Sequence, residues 1–299
     1  MKTLNALILR NTKLFFKDKG MFFTSLITPV ILLVLYATFL ANVYKESFMA
    51  ALPPSFALGE KLIDGCVGAQ LMSSILAVSC VTVAFCSNML MVSDKANGNI
   101  RDLTISPVKR STLALSYYFA TLISTLIICF VGAAICLVYV AKVGWYLTFG
   151  DVLLLMLDVF LLVMFGTALS SIINFFLSSQ GQISAVGTIV SSGYGFICGA
   201  YMPISQFSEG LQRVIMFLPG TYGTSLLRNH AMRGVFAAMK ETGFSSDTVE
   251  AIKDSVDCNL YFFDNKVTVT AMYAFLAITV VVLIGAYVLI NVIRRNKNA

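Results

Sequence analysis

The chain has 299 residues, of which 58% are hydrophobic and only 12% charged, with a net charge of +6 and a mean hydropathy of +0.84. A soluble domain carries roughly 25% charged residues, so the composition excludes a soluble globular protein and indicates an integral membrane protein. A helix needs about 20 apolar residues to cross the hydrocarbon layer, and six runs meet that length, at about 21–44, 66–92, 112–141, 151–177, 182–202 and 267–293.

The first twenty residues precede the first run. Leu4, Leu7, Ile8, Leu14 and Phe15 recur at helical spacing while Lys2, Arg10, Lys13 and Lys17 fall mostly on other faces. That is the pattern of an amphipathic helix lying in the interface, 1–20. A cleaved signal peptide would need a short apolar core soon after the charges; here the charges run to Lys19 and the apolar run is long enough to span. An even number of spans places both termini on one side. That side collects Lys2, Arg10, Lys13, Lys17, Lys19, Lys95, Arg101, Lys109, Arg110, Arg294, Arg295 and Lys297, against only Asp18, Asp94 and Asp102. The excess of cations makes it the cytoplasmic side.

Two longer regions, 45–65 and 235–266, then fall outside, where the Pro53-Pro54 pair blocks regular structure and small ordered caps are expected. Cys66 and Cys258 both belong near that face, without a spacing that argues for a disulfide. The other cysteines, Cys80, Cys86, Cys129, Cys136 and Cys198, lie in apolar runs and read as small packing residues. Residues 199–234 form neither a clean loop nor a clean span. Pro203 and Pro219 divide them, Leu211, Val214, Ile215, Phe217 and Leu218 are apolar, and Glu209, Arg213 and Arg228 are charged. The expectation is a re-entrant hairpin over 203–234, a pair of short helices dipping in from outside, with a loop over 235–266 before the last span. Broken backbone at that depth is tolerable only under protein or water.

No catalytic constellation is present. His230 is the only histidine, which rules out a histidine pair for zinc, and no glycine-rich run leads into Gly-Lys-Ser or Gly-Lys-Thr, so ATP has no P-loop here. Asp158 is the one acid well inside a span, about 10 Å from its start by helical rise. It reads either as an ion or substrate contact or as a group near the outer water or paired with an arginine of the hairpin; the nearness of the interface favours the second. Asn88, Asn174 and Gln182 sit near span ends, where capping or interhelical hydrogen bonds account for them, and Gly187, Gly193, Gly195 and Gly199 suit close helix approach. Ser191 and Ser192 also suit a translocation path or a dimer seam. No span repeats Arg or Lys, so neither an anionic polymer nor a nucleic acid is an expected partner.

Between the second and third spans, "SDKANGNIRDLTISPVKRS" interrupts the apolar pattern. Asp94 stands at the membrane exit, Gly98 marks a turn, and Ile100, Leu103 and Ile105 form an apolar face beside Arg101 and Asp102. A loop that only held topology would need no ordered apolar face. This one, 93–111, reads as a surface for another protein.

These features resemble the ABC-2 type permeases, membrane subunits of one class of ATP-binding-cassette exporters. The family's loop after the second span carries an acid, a glycine four residues on, an Ile/Leu-rich short helix and a Thr/Ser-Pro before a basic residue. Asp94, Gly98, Ile100, Leu103, Thr104, Ser106, Pro107 and Arg110 match it, with aspartate where the family usually has glutamate. Pro203, Leu218, Pro219 and Arg228 match the proline-punctuated hairpin. The resemblance extends over nearly the whole chain and implies an all-α domain of six spans, 1–299, in a bacterial-type cytoplasmic membrane. It implies that 93–111 is a coupling helix seated in an ATPase subunit, with Phe15, Phe16 and Lys17 of the N-terminal helix supporting the contact, and that two such subunits, which carry the ATP and Mg, and a second permease protomer complete the assembly. The chain itself would be non-catalytic and bind no cofactor. Spans rich in Phe, Tyr, Met and Leu favour a hydrophobic or amphipathic cargo: a drug, a lipid-like molecule or a peptide. The alternative is an ion-coupled secondary transporter using Asp158, which predicts several buried acids and two matched halves, whereas the sequence shows one acid and no repeat. A membrane-embedded enzyme fits less well still, for want of a second histidine or further buried acids.

Overall fold

The computed structural model describes residues 2–36, 38, 41–42, 45, 59–105, 108–263 and 265–297. Ser106, Pro107, the Pro53-Pro54 pair and the side chains of Arg101 and Thr104 lie outside the described parts. The described chain is helical apart from one two-stranded hairpin.

Helix α1 (Lys2–Lys17) meets α2 (Lys19–Leu35) at a bend of 73°. Asp18 makes the corner: its carboxylate accepts from the Met21 N–H at 3.1 Å, capping α2. The face of α1 that carries Leu4, Leu7, Ile8 and Phe15 turns inward, as its spacing predicts, with Phe15 and Asn11 fully buried. Helix α3 (Glu60–Ser87) continues through a break at Asn88 into α4 (Met89–Ala96), and a glycine turn leads to the short α5 (Asn99–Ile105). There follow α6 (Arg110–Val143), α7 (Phe149–Phe176), α8 (Gln180–Ile197), α9 (Glu209–Ile215), α10 (Pro219–Glu241), α11 (Ser246–Ser255), the hairpin β1 (Tyr261–Phe262) and β2 (Asn265–Lys266), and α12 (Val269–Lys297).

Among the described residues, four segments are long and apolar enough to cross a membrane: 61–96, 110–143, 149–176 and 269–293; α1 with α2 adds a fifth if the bent pair is one span. They coincide with the expected second, third, fourth and sixth spans. The expected first span is described as α2 only to Leu35, with isolated residues beyond. The expected fifth is α8, whose eighteen residues mix Ser, Thr, Gln and Gly with its apolar side chains and do not form an apolar window of the kind the other four contain.

Helix α3 is the pillar of the bundle, packed by α2, α6, α7, α8 and α10. Its apolar window is 89% buried, against 17% for that of α12, so α3 forms the core and α12 the rim. Such all-round burial is what an apolar sequence without a polar face demands.

The region after α8 departs from the expected pair of short helices. Pro203 opens a single 3-10 turn, Ile204–Gln206, and α9 is short, but Pro219 starts a helix of 23 residues that runs past 234 into the segment read as a loop. Proline at the first turn of a helix costs no hydrogen bond, so it starts α10 and does not break it. Gly234, inside α10, is there for proximity: a Cβ would sit 1.7 Å from the Tyr146 carbonyl oxygen in the α6–α7 connection. Within 235–266, α11 and the hairpin form an ordered cap. All seven cysteines, Cys66 and Cys258 included, are buried free thiols.

Candidate coupling site

The stretch singled out in the sequence folds around one carboxylate. Asp94, near the end of α4, has a side chain only 4% exposed. Its Oδ2 accepts from Arg10 Nη1 of α1 at 2.9 Å and from the Tyr117 hydroxyl of α6 at 2.6 Å, and its Oδ1 accepts from Asn99 Nδ2 of α5 at 3.0 Å. Arg10 also donates to Asn11 Oδ1 at 2.7 Å, and Asn11 Nδ2 reaches Ser116 Oγ at 3.5 Å. A carboxylate leaves water at a cost of several kcal/mol; here a guanidinium, a phenol and an amide replace the lost hydration. Four helices thereby share one anchor.

Gly98 makes the reversal between α4 and α5 with φ of +80°, a conformation that a Cβ disfavours. The turn sends α5 back with Leu103 half-buried against the core, Ile100 half-buried, and Ile105 83% exposed at its end. Lys95 fixes the other flank. Its ammonium donates to the carbonyl oxygens of Asn174, Phe175 and Leu177 at 3.0, 2.7 and 3.3 Å, occupying the open C-terminus of α7. Cations are favoured there by the helix dipole and by the unpaired carbonyls. Asn88, at the α3–α4 break, donates to Ser170 and Ser171 of α7 at 3.1 and 2.9 Å.

The expected contact residues divide accordingly. Ile105, Phe16 and Lys17 are exposed, and Arg110 is half-buried. Asp94 and Phe15 are not surface contacts: one anchors α1, α4, α5 and α6 together, and the other is 1% exposed in the core. Arg10, Asn99 and Tyr117 complete the anchor without having been marked by any motif. The only sequence signal for Tyr117 is its place two turns into α6, on the same face as Leu113 and Ser116.

At the opposite end of the bundle the expected site residues also find partners. Arg228, 1% exposed on α10, donates through Nη1 to Asp257 Oδ2 at 3.0 Å and the Val256 carbonyl at 3.1 Å, and through Nη2 to the Gly199 carbonyl at 2.5 Å and Ser74 Oγ at 3.3 Å. Asp257 in turn accepts from the Ile204 N–H at 2.8 Å. Gly199 has φ of +73°, and a Cβ there would also lie 2.9 Å from Ile204. Arg228 therefore binds α3, the end of α8, the 3-10 turn after Pro203 and the segment after α11 into one unit.

Asp158 is buried, 1% exposed, and among the described residues it pairs with no arginine. Its Oδ2 lies 2.6 Å from His230 Nδ1 on α10, and its Oδ1 accepts from the Tyr273 hydroxyl of α12 at 2.5 Å. The arginines of α10 serve other acids: Arg228 serves Asp257, and Arg233 lies 2.7 Å from Asp151. In place of the expected arginine the partner is a histidine of α10, because that helix packs on α7, with Gly223 against Leu162, closely enough for a short side chain to reach. Among the described residues, no group of three or more His, Cys, Asp or Glu side chains is arranged to hold a metal.

Residues 2–231 match the sequence model of the ABC-2 type transporter family. No curated protein matches the chain at a significant level. No solved structure does so either.

Proposed function

Since the chain belongs to the ABC-2 type transporter family, with more than half its length matched, we propose that it is the permease subunit of an ABC exporter, working with two separate ATPase subunits that hold ATP and Mg. The proposed cargo is hydrophobic or amphipathic, and both termini are proposed to be cytoplasmic. The single observation that carries this reading is the four-helix anchor at Asp94. It makes α1 and α5 one mechanical piece, ending in an isoleucine left 83% exposed among the described residues.

A partner pressing on α5 moves a unit, not a loop. The push passes through Asp94 to α1 and α6, and through Lys95 to the end of α7. Closure of the ATPases on binding ATP would thus shift the bundle against that of a second protomer. Support for a second protomer comes from α8, whose exposed face carries Ser184, Thr188 and Ser192 one turn apart. Hydroxyls do not favour lipid, whereas small and polar residues suit a helix–helix seam or a translocation path.

The test is co-purification from the native membrane, comparing wild type with Ile105→Asp. Ile105 is 83% exposed, so the substitution leaves the fold intact. A stoichiometric ATPase with wild type and its loss from the variant support the reading; equal recovery from both, or from neither, overturns the role of α5. The pairing of Asp158 with His230 would favour a proton-coupled carrier instead, and that reading gains if no ATPase is recovered and Asp158→Asn abolishes transport.

A further inference from the structure

Helix α9 has two faces, and neither is used by the coupling site. Leu211, Val214, Phe217 and Leu218 in and just after it are exposed, a contiguous apolar surface of the kind that meets a membrane or a partner. On its other side Glu209, Gln212, Arg213 and Met216 face Tyr261, Phe262 and Phe263 of the hairpin across a half-open groove of about 280 Å³. The aromatic wall is fixed by edge-on ring contacts, Phe217 to Phe262 at 5.2 Å and Phe262 to Phe263 at 4.9 Å.

The charges in this groove are unspent. Glu209 and Arg213 are one turn apart, the spacing at which an acid and a base ordinarily bridge. Among the described residues neither has a hydrogen bond or an ion pair, to the other or to anything else. The Gln212 amide nitrogen is taken by the carbonyls of Ser205 and Phe207, at 3.3 and 2.7 Å, which leaves its oxygen as an acceptor. The groove thus offers a cation, an anion, a neutral acceptor and aromatic faces. Drug-sized ligands need pockets of about 300–1,000 Å³, so this one suits a head group and not a whole amphiphile.

We propose that the groove binds the head group of a zwitterionic outer-leaflet lipid, a phosphoethanolamine ester. The phosphate lies against Arg213, the ammonium against Glu209, the Gln212 oxygen and the aromatic wall, and the acyl chains pass over Leu211, Val214 and Phe217. Facing side chains one helical turn apart have Cβ atoms about 5–6 Å apart, a match for a phosphate and an ammonium joined by a two-carbon link. An anionic lipid would meet Glu209 as a like charge, and a soluble zwitterion would leave the apolar face of α9 uncovered. The placement in the outer leaflet rests on the proposed permease topology.

Native mass spectrometry of the detergent-purified full chain tests it, with short-chain phosphatidylethanolamine, the matching phosphatidylglycerol and free phosphoethanolamine as probes. The expected result is phosphatidylethanolamine binding about tenfold tighter than either of the others, the weight of one charge-assisted contact. Arg213→Gln should lower that affinity about tenfold, and Glu209→Gln should abolish the margin over phosphatidylglycerol while leaving phosphatidylglycerol binding intact. Both side chains are exposed without internal partners, so an unchanged thermal midpoint is expected. Equal binding of the two lipids to wild type, or no effect of Arg213→Gln, overturns the proposal. Free phosphoethanolamine binding as tightly as the lipid overturns the lipid as occupant. No ATPase enters the measurement, so its failure leaves the permease reading standing, and failure of ATPase capture leaves this result intact.

Discussion

Truncating Asp94 to alanine removes the acceptor that α1, α5 and α6 share, and the cost follows from what each donor loses. The Tyr117 hydroxyl is the main loss, since Tyr117 is 3% exposed and nothing else accepts from it; a buried donor left unsatisfied costs about 1–3 kcal/mol. Arg10 has a side chain 32% exposed and can turn to water, so its share is discounted to about 0.5–1 kcal/mol. Asn99 is exposed and recovers its hydrogen bond from solvent. The sum is about 1.5–4 kcal/mol. At about 2–4 °C per kcal/mol, the scale of a large domain, the midpoint should fall by about 3–16 °C. The seven buried thiols provide the assay: a thiol-reactive fluorophore reports unfolding in detergent. Freed from its anchor, α1 should also be cut faster by trypsin at Arg10, Lys13 and Lys17. Asp94→Glu, which keeps the charge, should recover part of both effects. An Asp94→Ala protein with an unchanged midpoint and unchanged trypsin sensitivity would refute the view that this carboxylate joins the four helices.

Three further outcomes are expected. His230→Ala leaves the Asp158 carboxylate buried with only Tyr273, a loss of about 3 kcal/mol by the behaviour of broken buried pairs, while Asp158→Asn costs less and partly rescues His230→Ala; thermal midpoints of the two single variants and the double distinguish this from independent effects. Arg228→Lys keeps the charge but not the fork that reaches Asp257, Gly199 and Ser74 together, so it should destabilise by about 2–4 kcal/mol and expose Cys258. That thiol, pushed up to about 12 by burial, is otherwise inert to alkylation at neutral pH. Glu250 is held below the usual carboxylate range chiefly by its hydrogen bond from Lys266, so the contribution of this surface pair is present above the unfolded pKa of about 4.3 and fades as the pH falls through the lower folded value. Hydrogen-exchange protection factors in 246–266, taken relative to the intrinsic rate at each pH, should fall in that acid window and stay level between pH 6 and 8.

Four of the expected spans were legible because hydrocarbon imposes a length and a composition on them, and the stretch 93–111 stood out because it breaks that pattern with a glycine and an apolar face. The partners were not. Asp94 reads in the sequence as a charge at a membrane exit, and nothing nearby indicates that Arg10, eighty-four residues earlier, closes on it. His230, the single histidine, signals in the sequence only that a histidine pair for a metal is absent, while its contact with Asp158 depends on how closely α10 lies to α7. Pro219 and Gly234 carry the signals of helix breaks, yet one starts a helix and the other lets it pass the Tyr146 carbonyl. Local rules give the residue type at such positions; packing decides which of its uses applies.

The contrast between α3 and α12 bears on how this protein can change over generations. A helix enclosed by five others admits few replacements at any phase, because each side chain fills space that a different neighbour defines. A rim helix such as α12 accepts almost any apolar side chain on its outward positions. Saturation mutagenesis should therefore show intolerance without periodicity along 61–87 and a helical rhythm of tolerance along 269–293. New cargo preferences should arise at the edges of the bundle while its centre stays fixed.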